Sequence, residues 1–284
     1  MATVGDTSGA TEPGGHLFGA RPSYAASFFI GDTAVNAIAT ICKRELRSYF
    51  GSYVAYVLTA VFLLLTGGFF YSWLRYFILF GGYVLPSGLW QQVFLDMRYC
   101  AMIVLPLVTM RLFAEEKKLG TIELLWTYPV RDIEIVFGKF FAGWLFYLFM
   151  LAPTVVGPLV FYQFYRFDLG PFLTGYLGIV LLGTAFIACG MFVSSLTENQ
   201  VVSAMGTYGI LITFWYITWN ESVASVAVIE ALLKISLFDR FLNFARGVID
   251  TQDIVFFALF VVFFLFLTLA SLDARKWRGV GAAS

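Results

Sequence analysis

Charged side chains are scarce in this chain of 284 residues. Only 13% of the residues are Asp, Glu, Lys or Arg, while 60% are hydrophobic and 19% are aromatic. An ordinary soluble domain is about 25% charged. Too few polar side chains remain to cover a water-facing surface of this size. The composition therefore excludes a soluble monomer and predicts a membrane protein.

The chain also lacks an excess of either charge, because 18 Lys and Arg balance 18 Asp and Glu. Without a basic excess, nothing in the composition points to nucleic acid as a partner. The three cysteines, Cys42, Cys100 and Cys189, are far apart, and their spacing fits neither a disulfide framework nor a metal site. We expect no metal in this chain.

Catalytic side chains are missing as well. The single histidine, His16, lies near the N-terminus, so a Ser-His or Cys-His pair within the membrane would lack its base. The zinc-protease pattern H-E-x-x-H does not occur, nor does the P-loop pattern, since Gly138-Lys139 is followed by Phe140. We predict that the chain is not an enzyme and binds no cofactor itself.

Charge-free runs locate the membrane spans, because a helix needs about 20 apolar residues to cross about 30 Å of hydrocarbon. Five runs qualify: Ser48–Leu74, Phe140–Tyr165, Leu169–Thr197, Asn199–Asn220 and Ile254–Leu272. A sixth helix is predicted from near Leu89 to Met110, with Asp96 and Arg98 close enough to one end to reach the interface. Most of the run Tyr76–Leu95 is predicted to be a loop, since Gly81-Gly82 and Pro86-Ser87-Gly88 interrupt it. The sequence thus predicts an all-α polytopic membrane protein with six transmembrane helices.

The distribution of Lys and Arg predicts the orientation. With both termini in the cytoplasm, the outer side of the membrane holds only Arg75, Arg98, Arg166, Lys234, Arg240 and Arg246. The other twelve of the 18 basic residues then lie inside. We therefore predict a multi-pass protein of the cell (inner) membrane with both termini cytoplasmic.

The regions around the spans have distinct compositions. Residues 1–33 are predicted to be a disordered cytoplasmic tail, 34–278 a single transmembrane domain, and 279–284 a short C-terminal tail. From Ala34 to Tyr49, apolar residues alternate with Lys43, Arg44 and Arg47, a pattern typical of a helix lying in the interface. A plain cytoplasmic extension of the first span fits this stretch equally well.

The loop after the second span carries the strongest local signals. Gly120 is predicted to end one helix in a left-handed cap, and Thr121 to cap a short transverse helix whose first turn contains Glu123. Pro129 stops that helix, and Asp132 is predicted to cap the next one. Between the fourth and fifth spans, Ser194–Gln200 must form a tight hairpin, and the outer loop Glu221–Asp253 is predicted to hold amphipathic or re-entrant helices.

Four stretches resemble one family in order along the chain. They are Lys43-Arg-Glu-Leu-Arg-Ser-Tyr-Phe, Met110 to Val130 with Ile133 to Phe140, Gly190 to Gln200, and Asn243-Phe-Ala-Arg-Gly-Val-Ile-Asp. The chain resembles the type-2 ABC-transporter permeases, and most of all the subunit associated with gliding motility. The resemblance covers about residues 36–278.

The resemblance implies a transport subunit, with its first cytoplasmic loop as the coupling helix. The implied coupling residues are Glu115, Glu116, Gly120, Thr121, Glu123 and Leu124, with a second cytoplasmic contact at Thr197, Glu198, Asn199 and Gln200. The partners implied are two cytoplasmic ATPase subunits, which bind ATP and Mg, a second identical or homologous permease, and an auxiliary periplasmic subunit in some systems. Alternating access, used for export, is the mechanism implied.

Two other functions remain open at this point. A stand-alone carrier or channel would need buried ionisable groups, and the charge-free runs of the last four spans contain none. An ABC-like membrane anchor for a motility or secretion machine would share the same fold and the same ATPase. Glu115, Glu116 and Glu123 can also be ordinary solvated loop charges.

Overall fold

The computed structural model describes residues 23–80, 88–120, 131–219 and 236–281. Every regular element in these four ranges is helical, and the ranges contain no strand. The helices are α1 (Ser23–Phe50), α2 (Tyr53–Phe80), α3 (Gly88–Thr109), α4 (Arg111–Lys118), α5 (Asp132–Leu151), α6 (Val156–Phe164), α7 (Leu169–Leu196), α8 (Gln200–Trp219), α9 (Leu237–Ala245) and α10 (Thr251–Gly281). A 3₁₀ turn, Ala152–Val155, joins α5 to α6.

Five helical stretches are long and apolar enough to cross a membrane: Tyr53–Phe80, Gly88–Lys118, Asp132–Phe164, Leu169–Leu196 and Thr251–Ala274. They coincide with five of the six spans expected from the sequence. At the place of the remaining one, the structure has α8, a 20-residue helix that is not among these five. The sixth span therefore stays a prediction.

Helix α7 forms the centre of the bundle. In its most apolar window 72% of the residues are buried, against 17% for α2 and 22% for α10. Glycines allow neighbours to approach closely: a Cβ on Gly183 would lie 2.2 Å from the Tyr147 ring on α5, and one on Gly175 would lie 2.1 Å from the Phe94 ring on α3. Within lipid, no hydrophobic effect drives helices together. Small residues at helix contacts stabilise them instead, because they allow close van der Waals packing. Most of the apolar surface of α2 and α10 is exposed in the single chain.

The entry into the first span differs from the expected one. Helix α1 ends at Phe50 and α2 begins at Tyr53, so Gly51 and Ser52 form a break inside the run predicted as one span. The Gly51 and Ser52 N–H groups donate to Arg47 O and Tyr49 O. Helix α1 also begins at Ser23, which places residues 23–33 of the predicted tail in a helix. The rest of that tail, residues 1–22, lies outside the described residues.

The predicted loop in Tyr76–Leu95 is wrong at its N-terminal end, where residues 76–80 are helical. Helix α2 continues to Phe80 and α3 starts at Gly88, so the described parts of this run are helical. The breakers cluster in residues 81–88 only, and the flanking Tyr, Phe, Ile and Leu continue their helices on either side. The expected start of the second span near Leu89 is confirmed by the start of α3.

The charges near the start of α3 are satisfied inside the bundle. Trp73 Nε1 donates to Asp96 Oδ2 at 2.5 Å. The Arg98 guanidinium donates to Tyr99 Oη at 2.9 Å and lies 5.5 Å from the Phe238 ring centroid on α9. Both side chains are half-buried. Their reach to the membrane interface stays a prediction.

Helix α9 covers the end of the bundle remote from α4. Ser236 Oγ accepts from the Asp239 N–H at 3.1 Å and so caps the helix. One side of α9 is buried, through Leu237, Phe238, Phe241 and Phe244. A helix with one buried side is therefore present at residues 237–245. Its place at an outer interface stays a prediction, and residues 220–235 lie outside the described range.

Candidate functional site

The second span is interrupted at Met110, between α3 and α4, and we call this junction the joint. Pro106 lies within α3, and Met110 forms a turn between the two helices. Ser194 Oγ on α7 fills the joint: it accepts from the Phe113 and Ala114 N–H groups, at 3.0 and 3.1 Å, and donates to Met110 O at 3.0 Å. The first N–H groups of a helix have no acceptor within that helix. One buried hydroxyl thus accepts from two N–H groups in the first turn of α4.

A lysine fixes the other end of α4. Lys117 is only 8% exposed, and its Nζ donates to Ser195 O on α7. Ser271 Oγ on α10 donates to the same carbonyl at 3.4 Å. Because the last carbonyls of a helix carry partial negative charge, an ammonium is stabilised there. Helix α4 is therefore attached at both ends to the last turn of α7.

Four charges join α4 to α1 and α5. Lys139 Nζ on α5 lies 3.0 Å from Glu45 Oε1 on α1 and 3.0 Å from Glu116 Oε1 on α4. Arg44 Nη2 lies 3.0 Å from each of the same two oxygens. The Lys139 side chain is 1% exposed, and its Nζ also lies 5.3 Å from the Phe113 ring centroid. The network joins two basic and two acidic side chains, so the buried Lys139 has carboxylate partners on two other helices and the four formal charges sum to zero.

The electrostatics of Glu45 follow from this arrangement. Burial alone would raise the pKa of this carboxyl, but the attraction of Lys139 and the hydrogen bonds from Arg44 and Lys139 outweigh it and lower the pKa. Glu45 is therefore held in its ionised form, which the network needs.

Helix α1 packs directly on α5 beside this network. A Cβ on Gly138 would lie 2.7 Å from Ile41 Cγ2, a distance that only glycine allows. Ile41 and Tyr49 are buried, and Lys43, Arg44 and Arg47 are exposed. The three basic residues expected to face lipid headgroups thus lie on the open side of α1, but Arg44 is also held by two carboxylates.

The predicted coupling residues fall into three groups. Glu116 is part of the four-charge network, so its carboxylate is engaged within the chain. Glu115 is 43% exposed and pairs with Arg111 at 3.4 Å, and Gly120, also exposed, has φ +69°, as the predicted left-handed cap requires. Thr121, Glu123 and Leu124 lie outside the described residues, as does the whole predicted transverse helix.

The expected tight hairpin after α7 is confirmed. Thr197 Oγ1 accepts from the Asn199 N–H at 3.1 Å, and Asn199 Oδ1 accepts from the Val201 N–H at 2.9 Å, which caps α8. Glu198 and Asn199 are exposed, while Thr197 and Gln200 are half-buried. This turn follows directly on Ser194 and Ser195, so both predicted contact regions are attached to the end of α7.

At the start of α5 the cap differs by one residue from the expected one. Arg131 is the N-cap and Asp132 is the first helical residue. The Glu134 carboxylate accepts from the Arg131 N–H at 3.2 Å. Asp132 and Glu134 in the first turn suit the helix dipole.

Sequence reasoning missed the residues that hold the site together. Lys139, Glu45, Lys117, Ser194 and Ser195 were not among the predicted site residues. A signal existed for Lys139, a single cation at the very edge of a long apolar run, where it needs a carboxylate partner. Nothing local in the sequence marked Ser194.

Among the described residues, no cluster of three or more His, Cys, Asp or Glu side chains could hold a metal ion. The site is therefore an arrangement of charges, caps and packed helices.

A comparison with family models decides the family. The model for ABC-2 family transporter proteins matches residues 39–247, which is most of the chain. The chain belongs to this family. No curated protein matches the sequence closely enough to be named as a relative.

The family gives the general role of the permease. Its members are membrane-spanning subunits of ABC transporters and are not ATPases themselves. They typically work with ATPase partners. The match spans α1 from residue 39 through α9, so it includes the jointed α3–α4 segment, the four-charge network and the turn after α7.

Proposed function

We propose that this permease subunit moves its substrate by alternating access, driven by ATP hydrolysis in separate partner subunits, and that the α4 end of the bundle receives the mechanical input. The observation that carries the proposal is the attachment of α4 to three other helices: α7 through Ser194 and Lys117, and α1 and α5 through Glu116. A push on the loop after α4 would therefore move α1, α5 and α7 together.

The contact with the ATPase would come from the exposed part of this end. Glu115, Gly120 and the loop residues Thr121, Glu123 and Leu124 are proposed to enter a groove of the ATPase, with Thr197, Glu198, Asn199 and Gln200 as a second contact. Glu116 is proposed to act differently, since its carboxylate binds Lys139 and Arg44. It would transmit the motion and not touch the partner.

The assembly proposed contains two such permeases, identical or homologous, and two ATPase subunits that bind ATP and Mg. It would lie in the cell (inner) membrane with both termini and the α4 end in the cytoplasm, and would act as an exporter. The resemblance of the first loop to the gliding-motility subunit supports that subtype as a further proposal, with an auxiliary periplasmic subunit where the system has one.

Native purification of the tagged protein from its own membranes tests the assembly. We expect a complex of two permeases and two ATP-binding chains whose ATPase activity depends on the permease. A protein that is isolated alone and moves solute in liposomes without ATP would contradict the proposal and favour a stand-alone carrier.

The coupling surface is tested by Glu123→Lys, which reverses a charge in the loop after α4. We expect normal membrane insertion but loss of the link between ATP hydrolysis and transport, measured on the reconstituted complex. Asp250→Lys is the control for the charge change, because Asp250 is exposed at the opposite end of the bundle. Its carboxylate also accepts from the Gln252 N–H at 2.9 Å, so membrane insertion and the unfolding midpoint are measured for both variants. Full transport with a normally bound ATPase in Glu123→Lys would refute the assignment.

A further inference from the structure

A cavity of about 260 Å³ lies in the half of the bundle remote from α4. Its walls come from α2, α3, α7 and the junction of α5 and α6. The lining includes Gly67 and Phe70 on α2, Trp90, Phe94 and Met97 on α3, and Tyr176 on α7. For scale, a dry cavity of about 150 Å³ lined by apolar side chains holds one benzene molecule. This cavity is large enough for a hydrocarbon segment of several carbons.

The junction of α5 and α6 lines one side of the cavity. The 3₁₀ turn Ala152–Val155 interrupts the helix at Pro153, and α6 then continues in a new segment that contains Gly157. Pro153, Thr154, Gly157 and Pro158 all face the cavity. Proline cannot donate a helix hydrogen bond, and two prolines lie in this part of the lining. Helix α6 stays close to α2 beside the cavity, since a Cβ on Gly157 would lie 3.1 Å from the Phe70 ring.

Water has little to bind in this cavity. Thr66 Oγ1 donates to Phe62 O at 2.8 Å within its own helix. Thr154 Oγ1 donates to Leu151 O at 2.6 Å and lies 3.1 Å from Tyr176 Oη. The hydroxyl groups in the lining therefore already have partners, and the other side chains are apolar or aromatic. A buried water needs two to four free polar partners, so an apolar occupant fits better.

The wall formed by α2 is incomplete toward the bilayer. A Cβ on Gly67 would meet no atom within 4 Å, although Gly67 lines the cavity. Only 17% of the apolar window of α2 is buried, and its neighbour Leu64 is 74% exposed. Because these residues lie in a helix long and apolar enough to span the membrane, the medium next to this opening is lipid hydrocarbon.

We propose that the cavity binds part of one acyl chain of a bilayer phospholipid, which enters beside Gly67 and packs against Phe70, Trp90 and Phe94. The chain restores the dispersion contacts that the surrounding side chains would otherwise lose around an empty gap. This site does not depend on the coupling surface proposed above, since it lies in the opposite half of the bundle.

Photolabelling with a phosphatidylcholine that carries a diazirine in its acyl chain tests the site. The protein is reconstituted in nanodiscs containing this lipid, irradiated and digested, and the labelled residues are mapped by mass spectrometry. We expect label on the buried residues Val93, Phe94 and Met97, which are 5%, 1% and 3% exposed and which lipid outside the bundle cannot reach.

Two substitutions one residue apart give the matched control. Gly67→Leu adds a side chain at the opening of the cavity, and we expect about fivefold less label on α3 because the added volume obstructs entry of the acyl chain. Gly67→Ala should give an intermediate loss. Gly68 also has open space around it but does not line the cavity, so Gly68→Leu should label like the wild type.

Two outcomes would overturn the proposal. One is label confined to exposed residues such as Leu64 in the wild type, with none on Val93, Phe94 or Met97. The other is equal label on α3 in Gly67→Leu and Gly68→Leu. Label on exposed α2 residues, which should be the same in all variants, checks that each one is folded and inserted.

Discussion

Both ends of the bundle contain a buried ion pair, but the two differ in what they join. At the α4 end, Lys139 and Arg44 connect three helices whose charged residues are up to 94 positions apart in the chain. At the other end, Arg240 Nη1 lies 2.7 Å from Asp253 Oδ1, and Asn243 donates to Asp253 Oδ2 at 2.8 Å. These partners are only 13 and 10 positions apart, on the consecutive helices α9 and α10.

This difference indicates different roles. A pair within one turn-connected segment stabilises that local fold, whatever the rest of the bundle does. A network among α1, α4 and α5 fixes the relative positions of separate helices, and any motion of α4 must carry the others or break the contacts. We infer that the α4 end is built to move as one body, and that the pair at the other end only holds α9 on α10.

The largest expected effect comes from removing the shared cation. Lys139→Met leaves Glu45 and Glu116 facing each other with only Arg44 between them, and we expect a loss of about 3 kcal/mol in stability, at the low end for a broken buried pair because both carboxylates keep some exposure. ATPase activity should no longer respond to substrate. The thermal unfolding midpoint in detergent and the coupled ATPase rate measure these two effects.

Two control variants distinguish a loss of stability from a loss of the ATPase response to substrate. Lys118→Met removes an exposed lysine of α4 and should change neither quantity. Asp253→Asn weakens the pair at the other end and should lower the unfolding midpoint, but leave the ATPase response to substrate intact. If Asp253→Asn uncouples as strongly as Lys139→Met, the distinction between the two ends fails.

A smaller effect is expected at the joint of the second span. Ser194→Ala removes the acceptor for the Phe113 and Ala114 N–H groups, and leaving buried donors unpaired costs about 1–3 kcal/mol. Ser203→Ala is the matched control, because Ser203 is fully buried but its Oγ has no hydrogen-bond partner. We expect a lower unfolding midpoint for Ser194→Ala alone; equal midpoints for both variants would contradict the role of the joint.

The sequence allowed the spans to be predicted, but not the joints between them. Long apolar runs strongly mark a helix in lipid, so four of the five long apolar helices lie on charge-free runs, and the other lies where a helix was predicted from near Leu89. The Gly51-Ser52 break falls inside such a run. Neither residue is charged, so a search for charge-free runs does not detect the break. The glycines and proline of residues 81–88 were predicted to end the preceding helix before Tyr76, whereas α2 continues to Phe80. A helix-breaking residue affects its own turn and not the residues one or two turns away.

The candidate site was only partly predictable for a related reason. The left-handed cap at Gly120 and the hairpin at Thr197–Asn199 depend on local residues, and both were found from the sequence. The partners of Glu116 come from α1 and α5, and no local pattern states which distant cation will face a carboxylate. The sequence therefore could not show that the Glu116 carboxylate on α4 binds Lys139 within the chain. Its contact with another protein stays a prediction.

The smallest effect expected is the response of the α4 end to acid. The pKa of Glu45 is lowered in the folded protein, so its contribution to stability is complete above the unfolded pKa of about 4.3 and is lost as pH falls through the folded value. Glu45→Gln should therefore be less stable than the wild type at neutral pH, and the two should converge as the pH is lowered below about 4. Unfolding midpoints measured from neutral pH downward test this. A constant difference at every pH would show that Glu45 contributes through packing and hydrogen bonding, and that the network does not depend on its charge.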